Sequence, residues 1–215
     1  MIALVIGATG ATGKDLVTSL LKDPQFSEVL IFVRKDPSIS DPKLKTHIVD
    51  FDNPQSWNHL IKGDAAFSCM GTTLKAAGGK EAQWKVDYDY QLNFAKAASE
   101  NGVDTFVLVS SYGSNVKSPI FYSKMKGQLE EEIKKLPFKQ TIILQPGILD
   151  RPQTDRTGEV IGIKILKAVT NLGLFKSQRP LPTKTLASAM INMAKKKDTG
   201  LKIIQLEEIF AVAEN

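Results

Sequence analysis

Short apolar runs alternate with segments of helical periodicity over the first two thirds of the chain. The apolar runs, among them IALVI, VLIFV and TFVLV, predict buried β-strands, which favour β-branched and aromatic residues. The predicted strands span residues 2–6, 28–33, 46–49, 64–69, 104–110 and 140–145. The predicted helices span about residues 12–22, 54–61, 80–100 and 119–135. This alternation is typical of a parallel sheet with helices on both faces, so the sequence predicts an α/β fold.

Three dipeptides mark helix boundaries: Asn53-Pro54, Ser118-Pro119 and Asn101-Gly102. The first two are typical of a helix start, where proline at the first helical position loses no hydrogen bond. The third is typical of a helix end, where glycine adopts a left-handed conformation. These signals support the predicted helices.

The pattern changes after residue 145, where QPGILDRPQTDRTGE is rich in turn formers and charge. Two further helices, at about 158–170 and 183–196, and a short strand near 202–206 are predicted there. No repeat or low-complexity linker interrupts the chain, and 215 residues with 42% hydrophobic content can bury one large core. We therefore expect one domain of residues 1–215, in which 146–215 extend a core of residues 1–145.

Composition narrows the possible locations and partners. The single cysteine, Cys69, cannot form an internal disulfide, and no apolar run approaches the roughly 20 residues that span a bilayer. These features predict a cytoplasmic protein with no membrane partner. The net charge of +5 arises from scattered lysines, not from basic clusters interleaved with aromatics, so no nucleic-acid partner is expected. Small anionic ligands are attracted by such a charge.

The segment VIGATGATGKDLV places glycines at three-residue intervals directly after the first predicted strand. A tight turn at Gly7, close approach of phosphate at Gly10 and helix-to-strand packing at Gly13 are the functions expected of them. The following helix offers free amides and a partial positive charge to a pyrophosphate. Further phosphate contacts are expected from three neighbours, Thr9, Ala11 and Thr12. The first two glycines stand one residue further apart than in G-x-G-x-x-G, which indicates a variant of that loop. The alternative is a glycine turn that only connects the strand to the helix. The position favours a Rossmann-type doubly wound sheet.

This glycine loop resembles that of the short-chain dehydrogenase/reductase superfamily, particularly its extended and atypical branches. Four later segments, CMGTT, LVSSYGS, FYSKMKG and LQPGIL, resemble Tat-interacting-protein and NmrA-like reductases in their order and spacing. Together these segments cover most of residues 1–160. The resemblance implies an NAD(P)-binding protein, and it leaves the subfamily and the substrate open.

The end of the second strand bears on the choice of dinucleotide. A fold that selects NAD places an acid there to hold the ribose 2′-hydroxyl, whereas this chain has Arg34 and Lys35. Arginine binds a 2′-phosphate bidentately and stacks on adenine, so NADP(H) is preferred over NAD(H). An ordinary charged loop is the alternative, since Asp36 follows.

The resemblance implies further cofactor contacts after other strands. Asp50 and Phe51 are expected to flank the adenine. The remaining candidates are Met70, Gly71 and Thr72 along the cofactor, and Pro146, Gly147 and Ile148 near the nicotinamide carboxamide. A turn leaving a strand explains the last group equally well. His47 and His59 are expected to be structural or exposed, and with one cysteine no metal site is expected.

Tyr122 and Lys126 lie four residues apart at the start of a predicted helix and therefore share one face. A nearby ammonium lowers the pKa of a phenol by roughly one to three units, which suits it to acid/base work. In reductases resembling this chain, tyrosine is the general acid/base, lysine holds the nicotinamide ribose and serine binds the substrate carbonyl. The serine is Ser111 or Ser110, with a weak preference for Ser111. Strand neighbours face opposite ways, so one of the two should face the cleft and the other the core or backbone, and the sequence does not decide which. A solvated helix face is the alternative for Tyr122 and Lys126.

Two functions follow from this pattern. The first is an NADP-dependent oxidoreductase acting on a small carbonyl or alcohol, as a monomer or homodimer, with residues 146–215 on the substrate side. The second is an NADP(H)-binding regulator with little turnover, which fold alone does not exclude. Many relatives carry an asparagine in the preceding helix; here Asp87 stands at the matching place and Asn93 comes later. Four apolar residues are candidates for the pocket or the core: Phe121, Leu172, Leu174 and Phe175.

Overall fold

The computed structural model describes residues 1–150, 179–196 and 198–214. The predicted helix at 158–170 and three candidate pocket residues, Leu172, Leu174 and Phe175, lie outside these ranges. The strands are β1 (Ile2–Ile6), β2 (Glu28–Val33), β3 (Leu44–Ile48), β4 (Ala65–Ser68), β5 (Thr105–Val109), β6 (Gln140–Gln145), β7 (Leu149–Asp150), β8 (Leu181–Pro182) and β9 (Gly200–Gln205). The helices are α1 (Ala11–Lys22), α2 (Leu74–Ala77), α3 (Lys80–Trp84), α4 (Tyr90–Glu100), α5 (Phe121–Lys134), α6 (Thr183–Lys195) and α7 (Glu207–Ala213).

Seven of these strands form one sheet in the order β3-β2-β1-β4-β5-β6-β9, and every neighbouring pair in it is parallel. The short strands β7 and β8 form a separate parallel pair. The strand order reverses between β1 and β4. In open α/β sheets a crevice opens at that point, beyond the carboxyl ends of the strands.

Alternate strand residues face opposite sides of the sheet, and both sides are covered by helices. On one side Val5, Ile31 and Val107 pack with α1, α6 and α7. On the other side Phe32 and Leu108 pack with α4 and α5. These side chains are fully buried, and each contributes roughly 1.5–3 kcal/mol by leaving water. The double cover confirms the predicted α/β fold with its doubly wound parallel sheet.

The predicted helix at 54–61 is wrong. Two short 3₁₀ turns, Pro54–Ser56 and Asn58–Leu60, occupy this segment. Trp57 lies between them, only 2% exposed, and its Nε1 donates to the Asp50 carbonyl oxygen at 2.9 Å. Burial of this large ring fixes the chain in irregular turns in place of a continuous helix.

Other boundaries differ where side chains or turns intervene. Helix α5 begins at Phe121, not at residue 119, because Ser118 forms a turn in which its Oγ accepts from the Ile120 N–H at 3.1 Å. The predicted helix at 80–100 is divided by a π-helical turn at Lys85–Asp89. Helix α7 had no counterpart among the predicted elements; it is short, and its Ile209 is buried in the core.

Candidate active site and cofactor cleft

Two adjoining cavities occupy the crevice where the strand order reverses. The first cavity, of about 400 Å³, lies between the glycine loop, the end of β2 and the segment from α2 to the start of α4. The second cavity, of about 290 Å³, lies between the start of α1, the ends of β4 and β5, and the start of α5. Both are bordered by Gly10 and by the segment Cys69–Thr72. The two cavities therefore form one cleft along the sheet edge.

The glycine loop follows β1 and leads into α1. Gly7 has a φ of +76°, and a Cβ there would lie 2.5 Å from the Cys69 carbonyl carbon. A Cβ on Gly13 would lie 2.1 Å from the Gly7 carbonyl oxygen, so α1 packs against the loop at backbone distance. Thr9 and Gly10 are exposed at the first cavity, and Ala11 and Thr12 border the second. The loop is a cradle of the kind that receives a pyrophosphate.

The first cavity brings together Arg34, Phe51 and Tyr90 on its wall. The Phe51 and Tyr90 rings lie 5.3 Å apart between centroids and offer apolar surface of the kind that an adenine ring contacts. Lys35 and Asp50, both candidates from the sequence, are exposed but do not border either cavity. The Asp50 carboxylate instead accepts the Asp52 N–H at 2.9 Å in its own turn.

Two residues of this wall are not identifiable by sequence reasoning alone. Lys85 and Tyr90 reach the cavity from the π-helical turn and the start of α4. A π-helical turn inserts an extra residue into a helix and often marks a functional site. It carries no reliable sequence signal, although the polar run KVDYDY on an otherwise helical segment is unusual for a buried helix face.

Tyr122 and Lys126 both border the second cavity, as their helical spacing predicted. Tyr122 is 37% exposed, whereas Lys126 is only 2% exposed. The Lys126 Nζ lies 6.0 Å from the centroid of the Tyr122 ring. A phenol with an open face toward the cleft and a fixed cation behind it is an arrangement suited to proton transfer.

Asp87 forms an ion pair with Lys126. Its Oδ1 lies 3.1 Å from the Lys126 Nζ, at ion-pair distance but without hydrogen-bond geometry, and its Oδ2 accepts the Thr72 N–H at 2.9 Å. Asp87 is fully buried in the π-helical turn. This carboxylate thus ties α5, the π-helical turn and the loop after β4 together at the cleft. Asn93, the later asparagine of the sequence, lies a turn further along, in α4.

The two candidate serines differ in their surroundings. Ser110 is 5% exposed and borders the second cavity, yet its hydroxyl donates to the buried Glu130 carboxylate and lies 3.2 Å from the Ser114 Oγ. Ser111 does not border that cavity, and its hydroxyl makes a long 3.4 Å contact with the Tyr112 carbonyl oxygen. Position thus favours Ser110, whereas Ser111 is favoured by the weaker engagement of its hydroxyl.

Glu130 was not singled out from the sequence. Its carboxylate accepts two hydrogen bonds from the Gln145 Nε2, at 2.8 and 2.9 Å, besides the one from Ser110. Glu130 lies on α5 four residues after Lys126 and so shares its helix face. This spacing is the only feature of the sequence that could have identified it. The network fixes the Ser110 hydroxyl at the cavity wall.

In the segment after β6, the three predicted residues Pro146, Gly147 and Ile148 lie outside the wall of the second cavity. Pro146 is buried, and its carbonyl oxygen accepts the Tyr112 N–H at 2.9 Å; Gly147 and Ile148 are exposed. Leu149, the next residue, borders the cavity. Phe121 is half-buried at the start of α5, where its ring lies 6.2 Å from that of Trp84.

Cys69 and the histidines offer little reactive chemistry here. Cys69 is half-buried at the cleft, and desolvation raises the pKa of its thiol to about 12, which keeps it protonated near neutral pH. Burial also lowers the pKa of His47, whose ring stacks on Phe32 at 5.2 Å, and His59 is exposed. Within residues 1–150, 179–196 and 198–214, no group of three or more His, Cys, Asp and Glu could hold a metal ion.

The sequence matches the NAD(P)H-binding family over residues 7–196. It is 32% identical over 207 residues to the Candida albicans protein named FMP52, mitochondrial, with 93% of this chain and 90% of that protein covered. It is 38% identical over 164 residues to the Saccharomyces cerevisiae protein of the same name, with 74% and 71% covered.

Solved structures with the same fold include enzymes of nucleotide-sugar chemistry. The UDP-glucose 4-epimerase of Thermotoga maritima has a TM-score of 0.71 at 15% identity, with 100% of this chain and 82% of that chain covered. The dTDP-glucose 4,6-dehydratase DesIV of Streptomyces venezuelae, determined with NAD bound, has a TM-score of 0.73 at 16% identity, with 99% and 80% covered. At this level of identity the likeness concerns the fold.

The predicted cytoplasmic location is contradicted by the relatives, which are named as mitochondrial proteins. A single cysteine and short apolar runs argue against a disulfide-rich secreted protein, but they do not separate the cytosol from the mitochondrion. In the part of the chain that the structure describes, no helix is long and apolar enough to cross a bilayer.

The family match covers the glycine loop and both cavity walls of the described chain, and the sheet has the strand order of a dinucleotide-binding fold. The NAD(P)-binding protein that the resemblance implied is thereby confirmed. This chain belongs to the NAD(P)H-binding family and has a Rossmann-type fold.

Proposed function

We propose that this protein is an NADP(H)-dependent oxidoreductase that moves a hydride between the nicotinamide and a small carbonyl or alcohol. The observation that carries the proposal is the cleft itself: Tyr122 and Lys126 border the second cavity, which adjoins the glycine loop. The glycine cradle at Gly7 and Gly13, which a Cβ would fill, fits a dinucleotide pyrophosphate.

The residues of the cleft divide the work between cofactor and substrate. The glycine loop would hold the pyrophosphate, Phe51 and Tyr90 the adenine, and Arg34 the 2′-phosphate. The nicotinamide, when bound, supplies or accepts the hydride. Tyr122 gives a proton to the substrate oxygen in reduction and takes it back in oxidation. Lys126, held by Asp87, orients the ribose, and Ser110 or Ser111 binds the substrate oxygen.

Preference for NADP(H) is supported by the charges of the first cavity. Arg34 and Lys85 border it, and no acidic side chain does so among the described residues. An acid at the end of β2 would repel a 2′-phosphate, whereas two cations attract it.

The direct test mixes the purified protein with NADPH and a panel of aldehydes, ketones and quinones while NADPH absorbance is followed. Tyr122→Phe is expected to lower turnover by about 10²–10⁴-fold without loss of NADPH binding, because only the proton donor is removed. Tyr112→Phe is the matched control, since Tyr112 is an exposed tyrosine outside both cavity walls. Tight NADPH binding without turnover on any of the panel would instead support the regulator.

A further inference from the structure

Lys85 occupies an unusual position for a cation at a nucleotide cleft. It lies in the π-helical turn, far along the chain from the end of β2, and borders the same cavity as Arg34. Its Nζ lies 2.7 Å from the Asp52 Oδ1, and both side chains are 49% exposed. The Tyr90 hydroxyl donates to that same Oδ1 at 2.6 Å.

The charges of this group are fixed near neutral pH. The hydrogen bonds from Lys85 and then Tyr90 lower the pKa of Asp52, which is therefore ionised. Burial, and then the bond to Asp52, raise the pKa of Tyr90 to about 12, so its phenol is neutral, and the charge of Arg34 opposes that rise. Arg34, Lys85 and the Tyr90 phenol thus border the first cavity, and the Asp52 carboxylate lies just outside its wall, bound to Lys85 and Tyr90.

We infer that Lys85 is a second cation for the 2′-phosphate of NADP(H), and that it exchanges its Asp52 partner for the phosphate when the cofactor binds. The inference rests on the cofactor site of the proposed function and adds a specificity-determining residue to it. A half-exposed ion pair contributes little stability, so the exchange has a small cost. A phosphate monoester carries nearly two negative charges and three acceptor oxygens, which makes it the stronger partner.

Lysine and arginine have complementary roles in such a site. The Arg34 guanidinium binds two phosphate oxygens in a fixed plane, whereas the Lys85 ammonium acts as a mobile point charge on a flexible stem. Asp52 keeps that stem near the cavity in the absence of phosphate. The same π-helical turn places Asp87 against Lys126, so one turn serves both ends of the cleft.

The test measures binding of two small probes to the full chain by calorimetry: 2′,5′-ADP, which carries the 2′-phosphate, and 5′-AMP, which lacks it. Lys85→Met keeps the length of the stem and removes the charge. We expect this substitution to weaken the binding of 2′,5′-ADP about tenfold and the binding of 5′-AMP less than about twofold. Asp52→Asn is expected to leave 2′,5′-ADP binding unchanged or up to about fivefold tighter, because the competing carboxylate charge is gone.

Lys96→Met is the matched control, since Lys96 is an exposed lysine of α4 outside both cavity walls. The inference would be overturned if Lys85→Met weakened the binding of both probes equally, or if it left the affinity for 2′,5′-ADP unchanged. If the wild-type chain binds neither probe nor NADPH, the proposed function fails together with it. If Lys85→Met weakens the binding of 2′,5′-ADP but not that of 5′-AMP, the inference is supported whether or not the protein turns over any carbonyl.

Discussion

Lys126 and Asp87 form a buried ion pair, 3.1 Å from Nζ to Oδ1, with the lysine 2% and the aspartate 0% exposed. This chain thus holds its cleft lysine by charge. A pair so deeply buried is sensitive to loss of either member, because the remaining charge lies unpaired in the interior.

Asp87→Leu should therefore destabilise the fold. It leaves the Lys126 ammonium without its counter-charge and the Thr72 N–H without its acceptor. We expect the free energy of unfolding in urea to fall by about 3–5 kcal/mol. Asp104→Asn is the control, because it breaks an exposed 2.9 Å pair with Lys139 and should cost less than about 1 kcal/mol. If both substitutions lowered the free energy of unfolding equally, the buried pair would contribute no more to stability than the exposed one.

Two substitutions in the glycine loop separate its role in packing against α1 from its role in phosphate binding. In Gly13→Ala the new Cβ would lie 2.1 Å from the Gly7 carbonyl oxygen, so the loop or α1 has to move. We expect a loss of about 2 kcal/mol or more in unfolding free energy, within the range of overpacking effects.

Gly10→Ala isolates the other function of the loop. Among the described residues its Cβ meets only the Gly7 carbonyl oxygen, at a tight 3.3 Å, so stability should change much less than in Gly13→Ala. NADPH binding, followed by fluorescence, is expected to weaken about tenfold or more, because the methyl group occupies the approach of the phosphate. Unchanged NADPH affinity in Gly10→Ala would contradict the assignment of this loop to the pyrophosphate.

Arg34→Asp is expected to weaken NADPH binding by more than about tenfold and NADH binding by much less, because an acid at this wall repels the 2′-phosphate. Lys35→Asp makes the same charge change on the neighbouring residue, which does not border the cavity, and should have a smaller effect. Titrations of both cofactors against the two variants measure this difference. Parallel losses of NADPH and NADH in Arg34→Asp would remove the argument for NADP(H).

Cys69 gives a dependence of stability on pH. Burial raises the pKa of its thiol to about 12, above that of an unfolded thiol near 9.0. Between about pH 9 and 12 the unfolded chain releases this proton while the folded chain keeps it, so stability falls as pH rises through that window. Cys69→Ala should remove part of this alkaline loss in urea unfolding measured at pH 8 and pH 10. A thiol that reacts rapidly with iodoacetamide in the native protein at pH 8 would contradict the burial.

Features set by neighbouring residues were predictable from the sequence. Strands β1, β2 and β6 have the predicted bounds, because their apolar runs end directly before Gly7, directly before Arg34 and one residue before Pro146. Tyr122 and Lys126 share a face because their spacing matches the helical period.

Features set by contacts distant in sequence were not predictable. Lys85 borders the first cavity from a π-helical turn, and such a turn has no reliable sequence signal. Ser110 and Ser111 are equivalent in the sequence. They differ in the structure because Glu130, on helix α5, accepts a hydrogen bond from Ser110. The burial of Trp57 likewise replaced a predicted helix with 3₁₀ turns.

The most direct measurement is a crystal structure of the protein with NADP⁺ bound. We expect the nicotinamide ring in the second cavity, with its ribose within hydrogen-bond reach of Lys126 and the reactive carbon within about 5 Å of the Tyr122 hydroxyl. A nicotinamide that lies outside this cavity, with the Tyr122 ring facing water, would contradict the assignment of Tyr122 as the proton donor.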